Sequence, residues 1–147
     1  MKEFIFDNKH NLIDVVLRFA VGLYETTGET PSLIAYTYSM PVTASVRFRK
    51  ALEYGKISNF ELYIGNAFYS SQRSEINALR KLGTVNSLRN HSKLAILQTS
   101  TQHVVILSSN NWSTCSGYEF TIVLDDDEAQ KVESIIQKAH KKQNSKI

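Results

Sequence analysis

Short apolar runs rich in β-branched and aromatic residues alternate along this chain with segments whose apolar residues recur every three or four positions. The first pattern is typical of buried strands, and the second is typical of amphipathic helices. Their alternation predicts an α/β fold in which a mixed β-sheet is flanked by helices on both faces. The expected strands are 32–40, 59–65, 85–88, 91–97, 103–107 and 118–124, and the expected helices are 11–24, 43–54, 72–82 and a last one from 125 onward.

The 147 residues fit a single domain, 1–147, with about 143–147 as a frayed tail. The one cysteine, Cys115, cannot form an internal disulfide, and this favours a reducing compartment; we expect a cytoplasmic protein. The first residues do not resemble a signal peptide, and no apolar run approaches the roughly 20 residues of a membrane span, so we expect no membrane partner. The net charge of +3 and the pI of 9.0 are compatible with an anionic partner.

Between residues 91 and 119, ionisable and amide side chains gather at the ends of predicted strands. His91 and Lys93 are two apart, so they share one face if they lie on a strand. Asn111 follows the next predicted strand, and Glu119 lies at the start of the one after it. Histidine can serve as a nucleophile or as an acid and base, while lysine and asparagine can bind phosphate oxygens. The set suits attack on a phosphodiester, although a His-x-Lys pair alone is more typical of a solvated strand.

The same stretch resembles the motif of the phospholipase D superfamily, which is His-x-Lys-x4-Asp followed by Gly-Ser-x-Asn and a downstream Glu. His91 and Lys93 match its first two positions. The later serine, asparagine and glutamate are matched by Ser109, Asn111 and Glu119.

Two positions depart from the motif, since Gln98 stands where aspartate is usual and Ser108 where glycine is usual. Gln98 lies an odd number of residues from His91 and would face the other side of a regular strand, so we expect it to have a supporting role.

The resemblance implies a phospholipase D-like single domain with a site that needs no cofactor and no metal. In this superfamily two such motifs face each other: one histidine attacks phosphorus to form a phosphohistidine, and the other protonates the leaving oxygen. A chain with one motif must obtain the second histidine from another copy, so we expect a homodimer with both copies of His91 at its two-fold axis. The implied catalytic residues are His91, Lys93, Asn111 and Glu119, with Glu119 orienting the imidazole, and the implied substrate-binding residues are Ser109, Lys93 and Asn111.

The function expected from this resemblance is a metal-independent phosphodiesterase, most simply a nuclease acting on DNA or RNA. The alternative is a catalytically decayed module that keeps the fold and binds nucleic acid or serves in an assembly. A lipid phosphodiesterase would need an apolar interfacial surface, and the sequence indicates none. Outside the motif, we expect Trp112 to be a core anchor rather than a base-stacking residue, and we expect ordinary surface or strand positions for His10, His103 and His140.

Overall fold

The computed structural model describes residues 1–66, 73–112 and 117–144. Cys115 lies outside them. The strands within these ranges are β1 (Glu3–Asp7), β2 (Ser32–Thr37), β3 (Phe60–Gly65), β4 (Thr84–Leu88), β5 (Leu94–Gln98), β6 (His103–Ser108) and β7 (Glu119–Asp125). The helices are α1 (Leu12–Thr27), α2 (Val42–Glu53), α3 (Arg73–Arg80) and α4 (Asp126–Asn144). α4 includes residues 143 and 144, and the remainder of the expected tail lies outside the described residues.

The strands form one seven-stranded sheet in the order β1-β7-β6-β5-β2-β3-β4. β2, β3 and β4 are parallel, and the other neighbouring strands are antiparallel, so the predicted mixed sheet is confirmed. In this topology the carboxyl ends of β1, β2, β3, β4 and β6 and the amino ends of β5 and β7 lie at the same end of the sheet. We call this row of strand ends the site edge.

Helices cover both faces of the sheet, as the sequence pattern predicts. Successive side chains of β5 point to opposite faces: Ala95 and Leu97 join the larger core cluster, and Leu94 and Ile96 join the smaller one. The larger cluster includes buried residues of α1, α2 and α3, and the smaller includes Ala129 of α4. Three helices therefore pack on one face, while α4 packs on the other.

The first strand is absent from the sequence-based prediction. β1 pairs antiparallel with β7, from Glu3 opposite Val123 to Asp7 opposite Glu119. Only Ile5 of its apolar residues packs against the core, because β1 is an edge strand with one face open. A five-residue segment with a charge at each end gives too short an alternation to stand out from a loop.

Candidate functional site at one edge of the sheet

Three residues that match the motif lie at the site edge, at the ends of three neighbouring strands. Lys93 immediately precedes β5, Ser109 immediately follows β6, and Glu119 is the first residue of β7. The backbone N–H of Ser108 donates to the carbonyl of Lys93 at 2.9 Å, which continues the β5–β6 ladder by one residue. This bond fixes the main chain of Lys93 beside the residue that precedes Ser109.

Ser109 connects β6 to β7 through both its backbone and its side chain. Its N–H donates to the carbonyl of Phe120 at 3.1 Å, and its hydroxyl accepts the N–H of Phe120 at 2.9 Å. The same hydroxyl donates to the Glu119 carboxylate at 2.5 Å. Ser109 and Glu119 are thus in direct contact, the main chain of Lys93 lies beside Ser108, and all three side chains are partly exposed.

His91 and Lys93 are not part of a strand, so the predicted strand 91–97 is wrong at its start. The structure begins β5 at Leu94 because the Asn90 side chain makes a local turn: its oxygen accepts the backbone N–H of Ser92 at 2.9 Å. His91 sits within this turn and is exposed. Its imidazole stacks on the ring of Tyr38, with the centroids 4.6 Å apart and the planes 10° from parallel. Among the described residues no hydrogen bond joins His91 to Glu119.

Asn111 lies in the turn that follows β6 and is held there by its neighbour. Trp112 is fully buried and packs on Phe48 of α2, with ring centroids 5.1 Å apart, so its expected role as a core anchor is confirmed. Trp112 has a φ of 66°, an uncommon conformation for a bulky residue. The side-chain oxygen of Asn111 is buried and has no hydrogen-bond partner among the described residues. Asn111 therefore follows the site-edge end of β6 on a segment that is fixed by the burial of Trp112.

Ser108, the first departure within the second half of the motif, has a structural role. Its hydroxyl donates to the Phe120 carbonyl at 3.0 Å, lies 2.8 Å from the Thr121 hydroxyl, and accepts the N–H of Asn110 at 3.0 Å. A glycine could make none of these contacts. Serine at this position therefore joins the turn after β6 to β7.

His10 is nearly buried between β1 and α1, so the ordinary surface or strand position expected for it is wrong. Its Nδ1 lies 2.8 Å from the Asp7 carboxylate, and its Nε2 lies 2.7 Å from the hydroxyl of Thr121, which contacts Ser108. The hydrogen bond from the His10 side chain, helped by the backbone N–H groups of Lys9 and His10, lowers the pKa of Asp7 to about 2. The Asp-x-x-His spacing is the feature of the sequence from which this pairing could have been predicted.

His103 and His140 also pair with residues of other elements. His103 lies 2.8 Å from the buried Glu133 carboxylate of α4. His140, near the end of the same helix, lies 2.6 Å from the hydroxyl of Tyr36, which stacks on Tyr63. Burial raises the pKa of Tyr63 to about 12. These two contacts dock α4 on the sheet. His103 is the first residue of β6, as the expected strand position requires, and His140 lies half-buried on α4.

Gln98 lies at the far end of β5, roughly 16 Å along the strand from Lys93 at about 3.3 Å per residue. Its amide donates to the Glu133 carboxylate that also contacts His103. Gln98 therefore helps to hold α4 on the sheet and lies away from the site edge, in agreement with the supporting role expected for it.

Restoring the aspartate of the motif at this position is expected to destabilise the protein. Gln98→Asp would replace an amide donor with a second carboxylate beside the buried Glu133, and we expect the free energy of unfolding at pH 8 to fall by about 1–3 kcal/mol. Denaturant unfolding measures this loss, which should shrink near pH 4 as the carboxylates protonate. Gln98→Asn, which has the same shape without the charge, is the control. Equal losses for both variants at pH 8 would contradict the electrostatic explanation.

The sheet and the two helical layers are those of a phospholipase D-like fold. Three solved structures of phospholipase D superfamily members share it. NucT from Helicobacter pylori matches with a TM-score of 0.55 and 21% identity over 92% of this chain and 95% of its own. A polyphosphate kinase from Porphyromonas gingivalis matches with a TM-score of 0.60 and 11% identity over 93% of this chain and 23% of its own. A phosphatidylserine synthase from Haemophilus influenzae matches with a TM-score of 0.58 and 14% identity over 97% of this chain and 37% of its own.

No family model and no curated protein matches the sequence. The fold is therefore established by structural likeness at low identity. Among the described residues, no helix combines the length and the apolar character needed to cross a bilayer.

Proposed function

We propose that this protein is a metal-independent phosphodiesterase, most specifically a nuclease, that acts through a phosphohistidine on His91 at the interface of a homodimer. The contact of Ser109 with Glu119, next to the main chain of Lys93 and two residues along the chain from the exposed His91, is the observation that carries the proposal. NucT, a phospholipase D-like nuclease whose chain this one matches over nearly its full length, supports nucleic acid as the substrate class.

In the proposed reaction, His91 of one copy attacks phosphorus and the bond from phosphorus to the leaving oxygen breaks. His91 of the second copy gives its proton to that oxygen, then takes a proton from the water that hydrolyses the phosphohistidine. The Lys93 ammonium and the Asn111 amide bind the non-bridging oxygens as charge builds on them. Ser109 binds phosphate or positions Glu119.

Glu119 is proposed to hold the imidazole tautomer that leaves the attacking nitrogen bare. Because its described partner within one chain is Ser109, we expect this contact to form when the two copies assemble. Arg89, exposed two residues before His91, adds a second cation close to Lys93 and favours a polyanionic substrate. A cytoplasmic location stays a prediction.

Exposed aromatic side chains adjoin the site, although the sequence indicated no such surface. α4 packs on β6 and β7 and extends to Tyr36 and Tyr63. It does not cover the part of this face where β1 ends and β7 begins. Phe4, Phe6, Phe120 and Tyr118 are 54%, 61%, 39% and 69% exposed there, and Phe6 stacks on Tyr118. We call these four residues the aromatic corner.

A second copy of the chain is the proposed occupant of the aromatic corner. Exposed apolar patches of this kind mark interaction sites, and this one is continuous with Glu119 through Phe120, at a site that needs a second imidazole. Asp7 and Glu119 flank the corner and would repel an anionic lipid surface. Binding of the protein to anionic vesicles through these residues would instead assign the corner to lipid.

Charge introduced into the corner is expected to separate the two copies. Phe6→Glu should weaken dimerisation by about 10-fold or more, because a carboxylate would be buried against an apolar partner surface. Sedimentation equilibrium measures the change in dissociation constant. Ile135→Glu, at an equally exposed position on α4 (67%), is the matched control and should dimerise like the wild type. An unchanged dimer in Phe6→Glu would exclude this surface.

The experiment that tests the proposed function is a cleavage assay on plasmid and single-stranded DNA and on RNA, each in excess EDTA. The nuclease proposal predicts cleavage by the wild type that is absent from His91→Ala. Tight binding of any of these substrates without cleavage would favour the decayed module, the alternative that the departures at Gln98 and Ser108 raised. The structural roles found for both residues weaken that alternative, because neither departure removes a group from the site edge.

A further inference from the structure

The His91 ring rests on a second aromatic ring that belongs to no part of the motif. Tyr38 lies one residue beyond the end of β2, and its ring is stacked face to face with the imidazole, 4.6 Å between centroids and 10° between planes. One face of the imidazole is thereby covered. Its two nitrogens lie in the ring plane, so the stack leaves the ring edge open to a phosphorus atom.

Tyr38 is itself held in place by close packing against the backbone of the neighbouring strand. A Cβ atom added to Gly65, the last residue of the neighbouring β3, would lie 2.6 Å from the Tyr38 carbonyl oxygen and 2.9 Å from its ring carbon Cδ2. The chain on either side of Tyr38 is also fixed, since Thr37 is fully buried and donates its hydroxyl to the Ser39 carbonyl, and Met40 is buried. The phenol ring is thus a supported surface rather than a free side chain.

His91 needs such a surface, because its own segment gives it little support. It is exposed and lies in a turn that is held by the Asn90 side chain, and the Tyr38 ring is its one ring contact among the described residues. An unsupported imidazole would sample several rotamers, and its nitrogens would then point in several directions. Misorientation of a nucleophile lowers the rate of the chemical step, not the affinity for substrate.

We propose that Tyr38 is the positioning residue for His91, which it holds by ring stacking with its nitrogens directed along the site edge. The kinetic part of this proposal rests on the nuclease function, whereas the stack itself does not. The phenol hydroxyl has no part in it, so phenylalanine should replace tyrosine and an aliphatic residue should not. Gly65 contributes to this positioning, because a methyl group at residue 65 would displace Tyr38.

The test compares Tyr38→Phe, Tyr38→Leu and Gly65→Ala, with Tyr54→Leu as a control at an exposed tyrosine outside the site edge. The first readout is the proton NMR spectrum of the imidazoles, in which His91→Ala assigns the His91 signals among those of the four histidines. The ring current of Tyr38 should shift the His91 signals upfield in the wild type and in Tyr38→Phe. This shift should be lost in Tyr38→Leu and reduced in Gly65→Ala, while Tyr54→Leu keeps it.

The second readout is steady-state cleavage. Tyr38→Leu should lower kcat by about 10-fold to 100-fold with KM little changed, and Tyr38→Phe should restore kcat. A His91 shift that is the same in the wild type and Tyr38→Leu would overturn the proposal, as would a loss confined to KM, which would make Tyr38 a substrate-stacking residue. If the shift behaves as expected but the wild type cleaves nothing, the stack stands and the nuclease function fails.

Discussion

His91→Ala is expected to lower the rate of DNA or RNA cleavage by roughly 10⁴-fold or more, the scale on which an enzyme loses turnover with its nucleophile. The effect should exceed that of any other substitution at the site edge, because each shared site loses both its nucleophile and its general acid at once. Single-turnover cleavage in excess EDTA measures the loss without a contribution from product release. Binding of substrate, measured separately, should weaken far less.

His103→Ala is the matched control for this variant. His103 is also partly exposed and lies at a strand end, but it contacts Glu133 at the opposite edge of the sheet. Its removal should cost some stability and leave the rate per folded molecule near that of the wild type. Comparable losses of rate in both variants would indicate that His91→Ala acts through folding, and the assignment of His91 as nucleophile would then fail.

Trp112→Ala is expected to have the largest effect on stability, a loss of about 3 kcal/mol in the free energy of unfolding. The indole is fully buried against Phe48, so its removal leaves a cavity between α2 and the sheet. We expect the lower end of the usual range for tryptophan because the indole N–H is buried without a described partner, and its removal recovers some desolvation energy. Urea unfolding at constant pH measures the difference.

Tyr118→Ala is the control for aromatic truncation, since Tyr118 is the most exposed member of the aromatic corner. In dilute protein, where the chain is monomeric, it should change the free energy of unfolding by less than about 0.5 kcal/mol. A Trp112→Ala variant as stable as Tyr118→Ala would mean that Trp112 does not anchor the turn that carries Asn111.

Elements with a strong local pattern were predictable, and those that depend on distant partners were not. α1 begins where expected, with the Asn11 side chain accepting the N–H of Ile13, because a capping residue before an amphipathic run is a local signal. β6 matches its predicted range within one residue because a short run of β-branched and apolar residues between polar ones is also a local signal. β1 was missed because an edge strand with one open face buries too little to show alternation.

The position of the candidate site along the sheet was predictable, its geometry only in part, and the roles of its residues stay a prediction. Residue order and strand pattern indicated that Lys93, Ser109 and Glu119 would lie at adjoining strand ends. In the structure the Ser109 hydroxyl contacts the Glu119 carboxylate, and the main chain of Lys93 lies beside Ser108. The same pattern predicted that His91 lies on the strand, because an apolar run follows it. In the structure the Asn90 side chain instead forms a turn that includes His91, and the strand begins only after that turn.

Contacts between elements that are remote in sequence could not be predicted, because no local sequence pattern indicates them. The stack of Tyr38 on His91 joins residues more than fifty positions apart, and the pairing of His10 with Thr121 joins residues 111 apart. Gln98 could be assigned a supporting role from its strand parity, but its partner Glu133 lies on a helix whose register against the sheet no local pattern fixes.

Subunit mixing tests most directly whether two copies of His91 share one site. Wild-type and His91→Ala chains are mixed in varying ratios, allowed to exchange subunits, and assayed for cleavage in EDTA at constant total protein. If each site needs an imidazole from both copies, activity will follow the square of the wild-type fraction and fall to about one quarter in an equal mixture. A linear decline, to about one half, would show that each chain acts alone and would contradict the account.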